Sequence, residues 1–256
     1  MHYLRFAALT AVAVVGLASV ASAADLPVKA PPPVAPVSWT GFYINGGVGY
    51  GMYNADTTWF GPGGTPFLPL TQKQGGRGWL GTIGVGYDYQ FTNNIVAGVL
   101  ADYDFADIKG TIQNQGPFTV GTMKETSAWA VGARVGWLVT PEMLTYFNGG
   151  YTRAHFSAAD MIQNVFPATG TPFSSVPSQT YSGWFLGSGV EAKLPWFGNG
   201  WFARTEYRYA SYGSKTLPDV CTIGGCVAGT PVALVSIHPY VQTVRSELVY
   251  KFNWGR

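Results

Sequence analysis

From Trp39 onward the chain is built of segments in which side-chain character alternates with a period of two. In Gly78 to Phe91, one face carries Trp79, Gly81, Ile83, Val85, Tyr87, Tyr89 and Phe91, and the other carries Leu80, Thr82, Gly84, Gly86, Asp88 and Gln90. Successive side chains of a strand point to opposite faces, so this pattern predicts a strand with one apolar, aromatic face and one small or polar face. Asn94 to Phe105 repeats it, with Ile95, Ala97, Val99, Ala101, Tyr103 and Phe105 against Gly98, Asp102 and Asp104. In Thr126 to Val139, Trp129, Val131, Ala133, Val135 and Trp137 oppose Gly132, Arg134 and Gly136. Eight such segments are predicted, at 41–53, 78–91, 94–105, 126–139, 143–157, 180–194, 200–212 and 241–252. The fifth is the least regular, because Asn148-Gly149-Gly150 reads equally as strand or as a bulge that would leave its facing ambiguous.

The connections sharpen the prediction. Thr92-Asn93, Thr140-Pro141-Glu142 and Pro195 to Asn199 are short turns, whereas 54–77, 106–125, 158–179 and 213–240 are long and rich in Gly, Pro, Thr and Ser. Long and short connections alternate strictly. A transmembrane barrel has short periplasmic turns, long external loops and an even strand number, which leaves both termini in the periplasm. A soluble sandwich has no reason to keep such an alternation. The expected fold is therefore all-β, an eight-stranded antiparallel up-and-down transmembrane β-barrel, in the outer membrane. Aromatics gather at segment ends, as interface belts require. Trp39, Phe42, Tyr89, Phe91, Trp137, Trp196, Trp201, Phe252 and Trp254 are expected at the periplasmic level. Trp59, Trp79, Tyr103, Phe105, Trp129, Trp184, Tyr207, Tyr209 and Tyr240 are expected at the external level.

Upstream, Arg5 precedes an apolar run from Phe6 to Ala18, and Ala21-Ser22-Ala23 gives a small-x-small cleavage pattern. Residues 1–23 read as a signal peptide, too short in its apolar part for the ~20 residues of a spanning helix. Residues 24–38, with Pro31-Pro32-Pro33, read as an extended periplasmic leader, and 39–256 as the barrel domain. Composition agrees: charged residues make up 11% and aromatics 15%, where a soluble domain averages about 25% charged. A formal charge of +2 gives no pull toward nucleic acid.

Candidate chemistry concentrates on the inward face. Asp88, Asp102, Asp104, Glu191, Glu206 and Glu247 are six acids, and Arg134, Lys193, Arg204, Arg208, Arg245 and Lys251 are six bases. Several lie two apart on one strand and so share the lumen. An eight-stranded barrel encloses a space only just filled by its own side chains. Equal numbers of the two signs favour mutual pairing there, since lone buried charges are costly. The competing reading is a lining for a narrow ion or solute path. Cys221 and Cys226, the only cysteines, could close a small loop disulfide in an oxidising compartment, and their C-x4-C spacing without a histidine cluster is a poor metal site. His155 has Ser157 and Asp160 nearby, and His238 has Ser236, but these spacings do not by themselves build a nucleophile-and-base pair. Gly46-Gly47-Val48-Gly49 lies in a strand with no helix after it and is not a phosphate-cradling loop. No catalytic, cofactor or metal site is expected.

The chain also resembles a known family. Ala24-Asp25-Leu26-Pro27-Val28-Lys29-Ala30-Pro31-Pro32-Pro33, leading into Ser38-Trp39-Thr40-Gly41-Phe42-Tyr43-Ile44, is similar to the opening of the small porin-like outer-membrane proteins of alphaproteobacteria, the surface antigens of Brucella and its rhizobial relatives. Gly183 to Glu191 and Thr205 to Tyr209 resemble that family's sixth and seventh strands, and Val249 to Trp254 its closing strand. The resemblance implies an envelope protein whose partners are outer-membrane lipid, lipopolysaccharide and, during biogenesis, the barrel-insertion machinery. It also implies that Phe252 serves as the C-terminal insertion signal, although Asn253-Trp254-Gly255-Arg256 follow it. Three roles fit: a structural component presenting surface loops, a narrow porin-like channel, or a ligand-binding or adhesion module built on its long loops.

Overall fold

The computed structural model describes residues 38–66, 71–114, 119–163, 172–222 and 226–252. The signal peptide, the leader up to residue 37 and Trp254 lie outside the described residues. Eleven strands form one antiparallel sheet: β1 Gly41–Phe60, β2 Gln72–Gln90, β3 Ile95–Asn114, β4 Thr119–Thr140, β5 Met143–Phe156, β6 Ala159–Gln163, β7 Pro172–Val176, β8 Gln179–Lys193, β9 Trp201–Tyr212, β10 Lys215–Cys221 and β11 Pro231–Phe252. β1 pairs with β2 on one side and with β11 on the other, which closes the ring.

Eight staves make the ring, because three of them are interrupted. β5 continues as β6 after Ser157-Ala158, β7 as β8 after Pro177-Ser178, and β9 as β10 after Gly213-Ser214. The neighbours are the same on both sides of each break: β4, β6, β7, β10 and β11 pair in succession above it, as β4, β5, β8, β9 and β11 do below. Closure leaves no sheet edge, the condition for crossing hydrocarbon with strands. One seam is incomplete. Between Gly183↔Tyr212 and Val220↔Ser175 the sixth and seventh staves share no ladder pairing, though the Gly213 amide donates to Ser182 O and Lys215 Nζ to Thr180 O. Pro177 and Pro218 stand in this stretch and have no N–H to offer.

Each stave is about twice the 9–11 residues that a bilayer requires. Segments 54–60, 72–77, 106–114, 119–125, 159–163, 215–221 and 231–240, expected as loops, are strand. The reason lies in an inversion of pattern. Along β3, Val99, Tyr103 and Phe105 face outward and Asp104 inward; two residues later Asp107, Lys109, Thr111 and Gln113 face outward while Ile108 and Ile112 are buried. The first half suits lipid, and the second is the pattern of a barrel standing in water. The upper half is thus a collar with its own apolar core, including Tyr53, Trp59, Ile108, Ile112, Phe156, Tyr181 and Val235. A second apolar cluster, Trp39, Tyr43, Val96, Leu138, Leu144, Tyr146, Phe202 and Val249, fills the short-turn end.

The lipid-facing belt follows the expected register with two corrections. Trp79, Phe105, Trp129, Trp184 and Tyr207 are exposed at one level and Phe42, Tyr89, Phe91, Trp137 and Trp196 at the other. Trp39 and Trp59, expected in the belts, are 0% and 4% exposed. In β1 the outward side chains are Phe42, Ile44, Val48 and Tyr50, so the opposite parity carries Tyr43, Tyr53 and Trp59 inward. Trp39 precedes the strand and closes the short-turn mouth, donating from Nε1 to Pro141 O at 3.1 Å. β5 contains no bulge at Asn148-Gly149-Gly150: its register with β8 runs unbroken from Met143 to Phe156, with Phe147, Tyr151 and Arg153 outward.

Candidate functional site: the charged lumen

Between the two apolar clusters the interior is crossed by ion pairs in two tiers. In the tier nearer the short turns, Arg134 on β4 makes a two-pronged contact with Asp88 on β2, with Nε to Oδ1 at 2.8 Å and Nη2 to Oδ2. Lys251 on β11 donates to the same carboxylate at 2.7 Å. Glu191 on β8 faces three cations: Arg134 at 3.0 Å, Arg204 at 2.8 Å and Lys251 at 3.0 Å. Arg204 reaches on to Glu247 at 3.2 Å, which also accepts from Asn45 Nδ2. Strands on all sides of the ring therefore meet on one connected set of charges.

The second tier lies nearer the collar. Asp102 accepts both Nη groups of Arg208, at 2.9 and 2.8 Å, and Arg245 at 3.3 Å. Arg245 also donates to Asp104 at 2.8 Å. Glu206 holds Arg208 Nε at 2.9 Å and accepts Tyr146 Oη and Asn148 Nδ2. Rings enclose the cations: Tyr43 and Tyr146 lie 4.7 and 5.1 Å from the Arg134 guanidinium, Phe185 lies 4.3 Å from Arg208, and Trp39 lies 4.4 Å from the Lys251 ammonium. Charge-assisted, two-pronged bonds and cation–π contacts are the strong forms of polar interaction available in a dry interior.

The room for this arrangement comes from inward glycines. A Cβ on Gly86 would stand 2.2 Å from Tyr43 Oη, and one on Gly189 would stand 2.5 Å from Tyr146 Oη. Each large ring lies over a strand position that has no side chain.

Eleven of the twelve charges read from the sequence meet in these tiers. Lys193 does not: it sits two residues beyond Glu191 at the short-turn mouth, half-buried, and makes no ion pair among the described residues. Six acids therefore face five bases. The alternation also hid contributors that carry no charge, namely Asn45, Tyr43, Tyr146 and Asn148, although their parity along β1 and β5 marks them as inward. Glu125 on β4 is a further inward acid, buried where the tiers give way to the collar core.

The remaining candidates lie elsewhere. Cys221 and Cys226 are joined, with Cα atoms 6.2 Å apart, in the collar. Phe252 ends β11, paired to Phe42 and packed on Tyr250 at 5.0 Å. His155 bonds Thr180 rather than Ser157, while Asp160 accepts from Ser175. His238 lies between Ser211 and Ser214, at 3.4 and 3.2 Å, with no carboxylate bonded to either ring nitrogen among the described residues.

Residues 10–226 match the family model described as outer membrane protein beta-barrel domain. The chain belongs to this outer-membrane β-barrel family. Over 212 residues this family member is 29% identical to the 31 kDa outer-membrane immunogenic protein of Brucella melitensis biotype 1, covering 79% of this chain and 85% of the relative. The protein of the same description from Brucella suis biovar 1 matches equally. These matches bear out the resemblance to alphaproteobacterial surface antigens. Among solved structures, the outer membrane protein OprG from Pseudomonas aeruginosa aligns with a TM-score of 0.57 over 83% of this chain and 97% of that chain, at 13% identity, a likeness of fold.

Proposed function

We propose that this outer-membrane barrel is a closed, non-enzymatic component of the envelope. In this reading it stabilises the membrane wall and holds a rigid collar at the cell surface. The observation that carries this is the pair of ion-pair tiers, which join β2, β3, β4, β8, β9 and β11 across the whole lumen with no paired side chain more than 8% exposed. A conducting path would need these groups hydrated, whereas they are spent on one another and on the rings around them. The short turns and even stave number favour termini in the periplasm and the collar outside. His238 touches two serines, but among the described residues no carboxylate orients its ring, so no nucleophile–base–acid set is assembled, which supports a role without catalysis. Surface presentation fits a collar built of strands, and the Brucella relative's description as immunogenic agrees with it.

Single-channel recording on the refolded chain in a planar bilayer tests the reading. Protein shown to be folded by heat-modifiable gel mobility is expected to give no opening steps. Stable, reproducible steps whose selectivity changes when Arg204, Arg208 and Arg245 are neutralised would replace the plug with a narrow channel.

A further inference from the structure

On the outer wall, just beyond the aromatic belt, three cations stand in one cross-strand row. Arg77 on β2 is opposite Lys109 on β3, and Lys109 is opposite Lys124 on β4. Arg77 lies two residues beyond Trp79 on the same exposed face, and Lys109 four beyond Phe105. Directly opposed like charges on neighbouring strands repel. Among the described residues only Asp107 offsets them, contacting Lys124 at 2.6 Å and Lys109 at 3.4 Å, and Arg77 has no ion pair there. The ladders flanking this row shift register at Phe105/Ile108 and at Glu125/Ser127, between the belt and the cations. Such irregularities commonly re-aim side chains. Lys109 and Asp107 are more than half exposed, so the row is open to a ligand.

We propose that Arg77, Lys109 and Lys124 form a binding site for a phosphate of the outer-leaflet glycolipid. The height is what selects this ligand. Trp79, Phe105 and Trp129 mark the edge of the hydrocarbon, and a cationic row one or two positions beyond it lies where lipid headgroups lie. Three donors on a rigid sheet, with a net excess of positive charge and no internal partner for Arg77, suit a phosphate ester whose acyl chains pack on the apolar wall below. Asp107 bridges the two lysines, one on each carboxylate oxygen. The inference rests on the collar facing outward.

The test uses the full folded chain in detergent, titrated with bisphosphorylated lipid A and with the same lipid after phosphate removal. Binding is read by native mass spectrometry. The wild type is expected to prefer the phosphorylated lipid, and R77A/K109A/K124A to lose that preference. Each basic residue near an anionic lipid surface is worth about fivefold, so the triple change is expected to weaken binding by on the order of 100-fold. Unchanged heat-modifiable mobility confirms that the variant is folded. Equal binding of both lipids, or equal binding by wild type and variant, overturns the site. A parallel Thr111→Cys chain, labelled on intact cells with an impermeant maleimide, separates the two layers of the argument. Labelling without phosphate preference rejects the site alone, whereas absence of labelling rejects the outward collar on which it depends.

Discussion

Glu191 is the acid on which three cations converge, and its removal tests whether the tiers hold the barrel together or merely occupy it. At an effective dielectric constant near 20, unit charges about 4 Å apart attract by about 4 kcal/mol, so Glu191→Gln forfeits on the order of 12 kcal/mol of gross attraction to Arg134, Arg204 and Lys251. Burying the carboxylate itself costs several kcal/mol, which the variant recovers, and removal of one partner from a buried ion pair nets about 3–5 kcal/mol of destabilisation. The second variant in the cycle, Lys251→Met, is destabilising alone because it strips Asp88 and Glu191 of one cation each. The double variant restores the wild-type difference of one between acids and bases and is expected to recover at least ~2 kcal/mol relative to the sum of the singles. Equilibrium urea unfolding in lipid vesicles, followed by tryptophan emission, supplies the four free energies. A Glu191→Gln barrel within ~0.5 kcal/mol of wild type, as an ordinary surface change would be, or a strictly additive double, would refute the reasoning and return the lumen to the channel reading.

Gly86→Ala places a methyl 2.2 Å from Tyr43 Oη and 2.5 Å from Val99 O. Tyr43 is wedged between Arg134 and Arg204, so overpacking is expected to cost about 1–3 kcal/mol, visible as a lower urea midpoint; an unchanged midpoint would mean that the ring can swing aside. Asp219, buried in the collar, has its carboxyl pushed up to about 6 from an ordinary 3.8 by loss of water, with Ser174 pulling the other way. Between about pH 4 and pH 6 the folded chain holds a proton that the unfolded chain has released, so this group's effect is to lower stability as pH rises through that window. Asp219→Asn should therefore raise the heat-modifiable transition at pH 8 and leave it nearly unchanged at pH 4, and equal effects at both values would contradict the assignment. Phe252→Ala should reduce the amount assembled in the outer membrane while leaving refolding in detergent unaffected, which membrane fractionation checks; normal assembly would remove Phe252 as the insertion signal.

The membrane half of the barrel was legible because one physical demand, apolar toward lipid and small or polar toward the lumen, acts on every stave. The collar was not, because the demand reverses above the belt. Asp107 and Lys109 look outward there and Ile108 and Ile112 inward, so a search for outward apolar positions runs out at Phe105 and reports a loop. Parity told which face Lys193 shares but not its height, and height decides whether a charge meets partners or solvent at the mouth. Trp59 shows the converse: its place in the connection just beyond the first segment suggested an interface, whereas parity with Tyr43 already pointed it inside once the strand continues to Phe60. Nothing local distinguished Asn148-Gly149-Gly150 from a bulge. Its regular pairing is imposed by β4 and β8, with Gly132 across from Gly150 and Asn148 reaching Glu206.

The order in which the chain runs gives β11 a particular part in assembly. The final strand alone brings Arg245, Glu247 and Lys251, and it is hydrogen-bonded to the first from Phe42↔Phe252 to Phe60↔Leu234. Before it docks, Asp102 and Asp104 lack Arg245, Arg204 lacks Glu247, and Asp88 lacks Lys251. A seven-stave sheet lying in lipid would expose a row of unpaired peptide groups, leave Asp104 without its cation, and leave Asp88, Asp102 and Glu191 each short of one. Hydrogen-bond closure and charge neutralisation thus become a single event, and a half-built wall has no resting place in the bilayer. The barrel either finishes or stays with whatever shelters it outside the lipid.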